Sequence, residues 1–373
     1  MRSYALQKIP PILRQLYDEV LRPRVWMLDG TEVSSGEPLR LLYVGSEVHK
    51  NYIGKLAFAG SQREQLLGRE YLWSLPRLVD RSSSDCSLMI IEGYELHRRV
   101  LAHEGDFYVP LWLRAEVDVP LLGNHSSAKE DLRKVRKSKL TFEVTKDWQQ
   151  LDLFYNSMHL PYIYKRHPGQ EVTIGYDDMM EMARRDACEL LLVREGSEYI
   201  AGVLLLFGDR LPRLWAVLSG ESPPRMWVNG MKDGDLRYWK HGAIAATYYF
   251  ASTYLSGLGY RTMGMGATRA FLADGLTRYK RKWGMRVVDQ LPMAFLIRPL
   301  AWTPGVRGFF VHNPFAYLDE GRLCGAVFVA DGASVSDVTF ASLQAEHAFP
   351  GLEAFHGYQF TDGGFSRCWT SER

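Results

Sequence analysis

The chain is poor in several features, and each shortage removes a class of protein. Cysteine is scarce: Cys86, Cys188, Cys324 and Cys368 are the four in 373 residues. They lie far apart, with no CxxC pair and no clustering with histidine, so neither a zinc site nor a redox pair is expected, and no metal at all. Charge of one sign is also lacking. Lys+Arg 45 against Asp+Glu 43 leaves a net charge of +2, which argues against a dedicated nucleic-acid coat and against DNA as a partner, while leaving room for a local basic groove. The segment from Met1 to Val20 has charges throughout and two prolines, not the apolar stretch of a signal peptide. Asn124-His125-Ser126 is then a chance glycosylation match, and reduced thiols in a cytoplasm are the expected setting. Gly242 to Tyr260 is uncharged. It is built from Ala, Gly, Ser, Thr and Tyr with few Leu, Ile or Val, so a buried helix is expected there and no transmembrane segment. There is no GxSxG elbow and no HExxH, which leaves serine hydrolase and zinc protease unsupported.

What is present suits a globular protein. At 46% hydrophobic and 24% charged residues, the chain can build a core, and its length suggests two domains or one large and one small. Ten Trp and twenty Tyr fit a large concave site, and equally a plain core.

Short apolar runs in the first third, Leu41–Val44, Ser87–Ile91 and Tyr108–Leu113, are strand candidates with helices between them. A turn-rich patch at Gly123–Ser127 marks a boundary. Lys129 to Lys139 is a basic helix. It offers a face to phosphates, to tRNA or to a membrane surface in peripheral contact, and serves equally as a solvated face. Thr141–Thr145 alternates like a half-buried strand. Asp147 caps the next helix, with Gln150 completing a variant capping box, and Leu151, Phe154, Tyr155 and Met158 make one apolar stripe. A second helix is expected from Tyr176 to Cys188. Three strands follow, Glu189–Val193, Tyr199–Phe207 and Arg213–Leu218, with turns short enough to require an antiparallel meander. A loop containing Pro223, Pro224, Asn229 and Gly230 leads to a long helix over Leu236–Leu258. Then come a strand at Tyr260–Gly266, a helix at Ala273–Trp283 and a strand at Met285–Gln290.

This order resembles the acyltransferase fold of the GNAT superfamily of N-acetyltransferases, in which an antiparallel meander meets a helix–strand–helix–strand half. The segment Asp274-Gly275-Leu276-Thr277-Arg278-Tyr279-Lys280-Arg281-Lys282-Trp283-Gly284 is similar to the signature of the FemAB-like branch, as are Phe154-Tyr155 and Arg166. The resemblance covers roughly 121–290. It implies an α/β (mixed α+β) architecture of two tandem GNAT-like subdomains with largely antiparallel sheets. These would be a degenerate copy at 1–120, a signature-bearing copy at 121–290, and a strand-rich segment at 291–373 packing back on the core.

Amide formation from a thioester needs a deprotonated amine, donors for the tetrahedral oxyanion and an acid for the departing thiolate. The resemblance implies backbone donors on the meander strand next to the donor molecule, expected at Val217, Leu218 and Ser219. It puts the acid at Tyr279, whose spacing to Gly284 is one residue longer than usual; an aromatic that packs the helix explains Tyr279 as well. Lys280 and Lys282 would assist transfer or neutralise phosphate, or else form a solvated helix end favoured by the dipole. Tyr162, Tyr164 and Arg166 form an aromatic–basic segment suited to the acceptor, with Arg166 forking onto a phosphate or carboxylate; His167 beside them is expected to be structural. Asp274 is the best-placed base or an N-cap, and Arg269 precedes it as an acceptor contact. The glycine-rich pyrophosphate loop is missing, as is a third glycine after Gly264-Met265-Gly266, so dinucleotide binding is not expected.

The expected activity is therefore N-acyl transfer from acetyl-CoA or another acyl-CoA to an amine of a polar small-molecule acceptor, such as an amino sugar or an amino-acid-bearing precursor. Two alternatives stand beside it. One is aminoacyl-tRNA-dependent peptide-bond formation, which would weaken steeply with salt. The other is a degenerate copy that binds without catalysing. Residues 302–373 carry no motif and are expected to be structural.

Overall fold

Period-two and unbroken apolar runs build three sheets in the computed structural model, which describes residues 21–82, 85–101, 103, 105–123, 125–166, 174–184, 187–207, 223–330 and 337–372. The chain folds as two units. Unit 1 holds the described residues up to Leu113, then Arg269–Thr277, and those from Gln290 on; unit 2 holds Arg114–Thr268 and Arg278–Asp289. The segment from Gln290 on therefore belongs with the N-terminal part of the chain, and the division falls inside the helix Gly275–Arg281.

In unit 1, β1 (Arg24–Thr31), β2 (Pro38–Gly45), β3 (Arg63–Arg69), β4 (Leu88–Tyr94), β5 (Phe107–Pro110) and β13 (Met293–Pro299) form a mixed sheet in the order β3-β1-β2-β4-β13-β5. β1 and β2 are a hairpin; β2 and β4 run parallel from Leu41↔Leu88 to Val44↔Ile91. A strand buried on both faces has no polar alternation to keep, which is why Leu88, Met89, Ile90 and Ile91 are all apolar and buried. Val25, Leu42, Val44, Met89, Ile91 and Leu296 make the core beneath this sheet.

Residues 302–373 supply a second sheet of the same unit, β14 (Phe315–Asp319), β15 (Arg322–Val329), β16 (Ala354–Thr361) and β17 (Gly364–Glu372) in sequential order. Its apolar end is aromatic: Phe328 stacks on Tyr358 at 4.9 Å and lies 4.8 Å from Phe310. Such offset and edge contacts add to the burial of large rings.

In unit 2, β6 (Leu113–Asp118), β7 (Thr141–Thr145), β8 (Cys188–Glu195), β9 (Glu198–Leu206), β10 (Arg225–Met231), β11 (Thr262–Thr268) and β12 (Arg286–Gln290) form one sheet in the order β12-β6-β11-β10-β9-β8-β7. β7, β8, β9 and β10 are an antiparallel meander. The helix Ala243–Gly257, β11, the helix Gly275–Arg281 and β12 follow. This is the meander plus helix–strand–helix–strand half that the GNAT resemblance implies. Both large sheets share a pattern: a parallel pair (β2/β4, β10/β11), then a strand from a distant part of the chain (β13, β6), then an edge strand (β5, β12).

The structure departs from the sequence expectations at definite points. The segment expected to be a loop around Asn229 and Gly230 is β10, the fourth meander strand. Gly230 is there because a Cβ would lie 2.8 Å from the backbone of Met158 and His159 and from the Phe154 ring. The long helix expected over Leu236–Leu258 is broken into Leu236–Lys240 and Ala243–Gly257 by Gly242, whose φ is +88°. A Cβ on Gly242 would meet Lys134 and Val135 of the helix Ser126–Lys137 at 3.2 Å. Tyr108–Leu113 is not one strand: Pro110 ends β5, and β6 starts at Leu113 in the other large sheet. Proline has no N–H for a ladder, so the strand stops there. The helix expected to reach Cys188 ends at Arg184, and Cys188 opens β8. Asp147 caps its helix through Gln150 N at 2.9 Å, but the Gln150 side chain bonds Glu143 and Tyr199 instead of closing the box. The strand expected at Arg213–Leu218 lies outside the described residues, as do Val217, Leu218, Ser219 and His167. Among the described residues no helix is long and apolar enough to cross a membrane.

Candidate active site

The parallel pair β10/β11 of unit 2 pairs only at Arg225↔Gly264, where Gly264 N donates to Pro224 O at 2.8 Å. Past that point no further β10/β11 ladder pair forms, and Gly266 has a φ of +72°, which favours glycine. On its other side β10 bulges against β9: Met226 faces Leu205 and Val228 faces Leu204, so Trp227 is left out of the ladder. The result is a wedge where β10 and β11 run on without ladder pairs, with bulged backbone on one wall. The meander strand beside the wedge is β10; Val217, Leu218 and Ser219, where donors were expected, lie outside the described residues.

β10 is held from behind. The buried His159 ring bonds Asn229 O through Nδ1 at 3.0 Å, and Thr247 Oγ1 donates to Asn229 Oδ1 at 3.2 Å. Burial pushes the His159 pKa down, so the ring stays neutral there.

Lys280 enters this wedge. Its side chain is buried, at 3% exposure, and Nζ donates to Ala267 O on β11. A Cβ placed on Gly266 would lie 3.2 Å from Met226 O of β10 and 3.9 Å from Lys280 Nζ. Tyr279, one residue earlier, faces elsewhere. Its ring meets Tyr248 at 5.4 Å and Trp283 at 6.5 Å, and Tyr162 lies close enough for its field to reach Tyr248 and Tyr279. Burial holds the Tyr279 hydroxyl well above the usual tyrosine range, with Tyr248 adding to it. Lys282 covers the Tyr279 ring at 3.9 Å and pairs with Asp131.

The other residues singled out in the sequence are dispersed. Tyr164 is exposed, and Arg166 stacks on Trp239 at 3.8 Å. Asp274 and Arg269 belong to unit 1. Asp274 caps the helix Gly275–Arg281 through Leu276 N at 2.8 Å and accepts from Tyr52 Oη at 3.2 Å. Arg269 is 6% exposed, with its guanidinium 3.5 Å from the Trp112 ring centroid and 4.1 Å from that of Tyr52. Burial lowers its pKa, opposed by Tyr52 and Asp274. Its Nη1 is buried and has no hydrogen-bond partner among the described residues.

Unit 1 also holds a group that no motif announces. Glu92 on β4 is 8% exposed and accepts four hydrogen bonds: Tyr43 Oη, Ser46 N and Ser46 Oγ at 2.8 Å, and His49 Nδ1 at 2.9 Å. Burial alone would raise its pKa; the bond from His49 leads the contributions that bring it below the usual carboxylate value. An ionised carboxylate only accepts, so Nδ1 carries a proton towards Glu92, and the buried Nε2 has no partner among the described residues. Gly45, at φ +153°, makes the approach feasible, since a Cβ there would lie 2.5 Å from Glu92 Cβ. Glu92, Ser46 and His97 also wall a cavity of about 320 Å³. The one sequence signal for this group was a lone carboxylate interrupting the apolar run from Leu88.

In the C-terminal sheet, Asp319, Cys324 and His356 bring ligand-type atoms within 4.8 Å of one another, a convergence that their distance in sequence did not suggest. Arg367 bonds Asp319 at 2.8 Å and Tyr317 bonds His356 Nδ1 at 2.7 Å, while His356 Nε2 is buried with no hydrogen-bond partner among the described residues.

No protein-family model matches the chain, and no curated protein matches it. Among solved structures, it is similar to a GCN5-related N-acetyltransferase from Anabaena variabilis at 10% identity, covering 90% of this chain and 74% of that one, with a TM-score of 0.31. A GCN5-related N-acetyltransferase from Kribbella flavida matches at 12% identity over 92% and 73%, TM-score 0.28. A tandem GNAT protein from the clavulanic acid biosynthesis pathway matches at 9% over 72% and 82%, TM-score 0.30. Superpositions this loose assign no activity; the fold class rests on the strand order.

Proposed function

We propose that this chain is an N-acyltransferase that moves an acyl group from a CoA thioester to an amine, with its reaction centre at the β10/β11 wedge. The observation that carries this reading is the burial of the Lys280 ammonium beside Gly266, where the β10/β11 ladder stops next to a bulge. The amine attacks the thioester carbonyl, and the carbonyl oxygen gains negative charge. Backbone N–H of the bulge around Trp227, together with the Lys280 ammonium, stabilises that oxygen. As the C–S bond breaks, the thiolate takes a proton from Lys280, and the proton shed by the new amide nitrogen restores the ammonium. Tyr279 holds its own proton too firmly for that step and serves as a wall.

The motif at 274–284 favours the FemAB-like branch within this reading. Aminoacyl-tRNA remains the second donor to test, and the basic helix Ser126–Lys137 is its main support. Much of that helix's charge is already balanced, however: Arg133 pairs with Glu130, and Lys134 with Asp131.

The test is acyl transfer from acetyl-CoA and longer acyl-CoAs to a panel of amines. Replacing Lys280 by Met should reduce transfer by roughly 10²–10⁴-fold, the usual contribution of one positioned proton donor or oxyanion contact, whereas Tyr279→Phe should change it only a few-fold. Equal loss in both variants would return the acid role to Tyr279. Transfer from charged tRNA alone would replace the donor.

A further inference from the structure

The four-stranded sheet of unit 1 gathers a polar set of side chains on one face. β14 and β15 pair antiparallel with Tyr317 opposite Cys324, and β15 and β16 pair parallel with Ala326 opposite His356. Paired residues share a face, and so do residues two apart on one strand. Asp319 is two beyond Tyr317, and Ala326 is two beyond Cys324, so Asp319, Cys324 and His356 all project to the same side. Strand pairing alone makes them neighbours, since the helix Asp337–His347 separates β15 from β16 in the chain.

One ligand atom from each of the three, a carboxylate oxygen, a thiol sulfur and an imidazole nitrogen, lies within 4.8 Å of the other two. Bonds of about 2.0–2.3 Å in a tetrahedral zinc site put neighbouring ligand atoms roughly 3.3–3.8 Å apart, so shifts of about 1 Å would close this set on an ion. Cys324 is a free thiol, and both it and His356 are fully buried. Tyr317 Oη lies 2.7 Å from His356 Nδ1 and 2.6 Å from Tyr358 Oη, and Arg367 Nη2 donates to Asp319 Oδ2 at 2.8 Å. Such outer contacts are what orient metal ligands, and a carboxylate bonded through one oxygen still has the other to give. A thiol and an imidazole exclude magnesium and calcium, which take oxygen ligands, and suit zinc. With both groups sealed from solvent there is no room for a substrate, which makes the site structural. The way in is on the Asp319 side, where the side chains of Asp319 and Arg367 are 25% and 42% exposed.

We infer that Asp319, Cys324 and His356 bind one zinc ion that clips β14, β15 and β16 together, with a water from the Asp319 side as the fourth ligand. The Cys324 thiol loses its proton to solvent as the sulfur–zinc bond forms, and no electron is transferred. The inference is independent of the acyltransferase reading, which concerns unit 2.

The experiment strips the full-length protein with a chelator, titrates it calorimetrically with Zn²⁺ alone, and repeats the titration with Mg²⁺. Zn²⁺ should bind at one equivalent per chain and raise the melting midpoint, as any ligand selective for the folded state does; Mg²⁺ should do neither. Co²⁺ in place of Zn²⁺ should give the absorption band of a thiolate-bound ion. Cys324→Ser should remove that band, and both Cys324→Ser and His356→Gln should weaken Zn²⁺ by more than about 100-fold, since even the outer partners of metal ligands are worth 10–100-fold. Cys368→Ser, at the exposed cysteine outside the set, should leave band and affinity unchanged. If the Cys324 or His356 variant fails to fold, the cobalt spectra of the unaltered protein and of Cys368→Ser decide. Zn²⁺ binding that survives both Cys324→Ser and His356→Gln identifies an adventitious surface ion only and overturns the site. So does a cobalt complex without the thiolate band, a band lost in Cys368→Ser, or no Zn²⁺ binding at all.

Discussion

Glu92 and His49 are bonded at 2.9 Å through Nδ1, and the opposite ring nitrogen of His49 is buried with no partner among the described residues. A buried carboxylate that bonds an imidazole in this way fixes the orientation of the ring and so the place of its other nitrogen. Nothing local in the sequence dictates the pair, since the two residues stand on β4 and on the helix that follows β2. The parallel pairing of β2 and β4 brings them together.

Glu92 should leave a signature in acid. Its folded pKa lies below the ordinary value of 4.5, so the unfolded chain binds the extra proton first as pH falls. The stability contributed by this group is therefore complete above about pH 4.5 and is lost as pH drops through the folded pKa. Glu92→Gln should flatten that part of the stability–pH curve. It should also cost about 1–3 kcal/mol at neutral pH, because the amide cannot accept from every donor around it. Denaturant melts from pH 3 to 7 would check both; an unchanged acid limb would exclude the assigned bonds.

Gly230 and Gly257 should respond oppositely to alanine. At Gly230 a Cβ would meet backbone and a ring at 2.8 Å, while at Gly257, the last residue of Ala243–Gly257, nothing lies within 4 Å. Gly230→Ala should destabilise by about 1–3 kcal/mol through overpacking. Gly257→Ala should stabilise by about 0.4–1 kcal/mol by restricting the unfolded chain. Paired melting temperatures decide it, and a tolerated Gly230→Ala would contradict the placement of β10.

Arg298 and Asp106 form a two-pronged ion pair in unit 1, with Nε–Oδ1 at 2.8 Å and Nη2–Oδ2 at 2.6 Å and side chains 11% and 4% exposed. Removing one partner strands the other charge. Asp106→Asn should cost about 3–5 kcal/mol, whereas Glu130→Gln, which breaks the exposed Arg133–Glu130 pair, should change stability far less. Chemical denaturation of both variants separates the two cases, and comparable losses would refute the distinction.

Gly266 should be needed for the wedge more than for the fold. Alanine at φ +72° carries a left-handed penalty of about 1–2 kcal/mol, and its Cβ would point at Met226 O and Lys280 Nζ. Gly266→Ala should therefore lose acyl transfer far beyond its modest drop in melting temperature. Full activity in a folded Gly266→Ala protein would move the reaction centre away from β10/β11.

Patterns of local origin survived into the structure. The β2 and β4 runs, the alternation of β7, the Asp147 cap and the apolar stripe of Leu151, Phe154, Tyr155 and Met158 all depend on residues a few positions apart, where periodicity and capping chemistry operate. The meander-plus-half order came through for the same reason, although β10 occupies a stretch expected to be a loop. Proline and glycine around β10 resembled a loop, because what requires Gly230 is the distant backbone of Met158 and His159.

The sequence by itself determined where strands and helices form, that the chain has material for two cores, and that a basic, aromatic helix end stands at 278–283. Only the tertiary structure decided that Lys280, and not Tyr279, faces the wedge, that Asp274 and Arg269 belong with Tyr52 and Trp112, and that His49 meets Glu92. The physical reason is range: propensity and periodicity act over one or two turns, whereas these groupings depend on which strands pair, and strand pairing is set by burial across the whole chain.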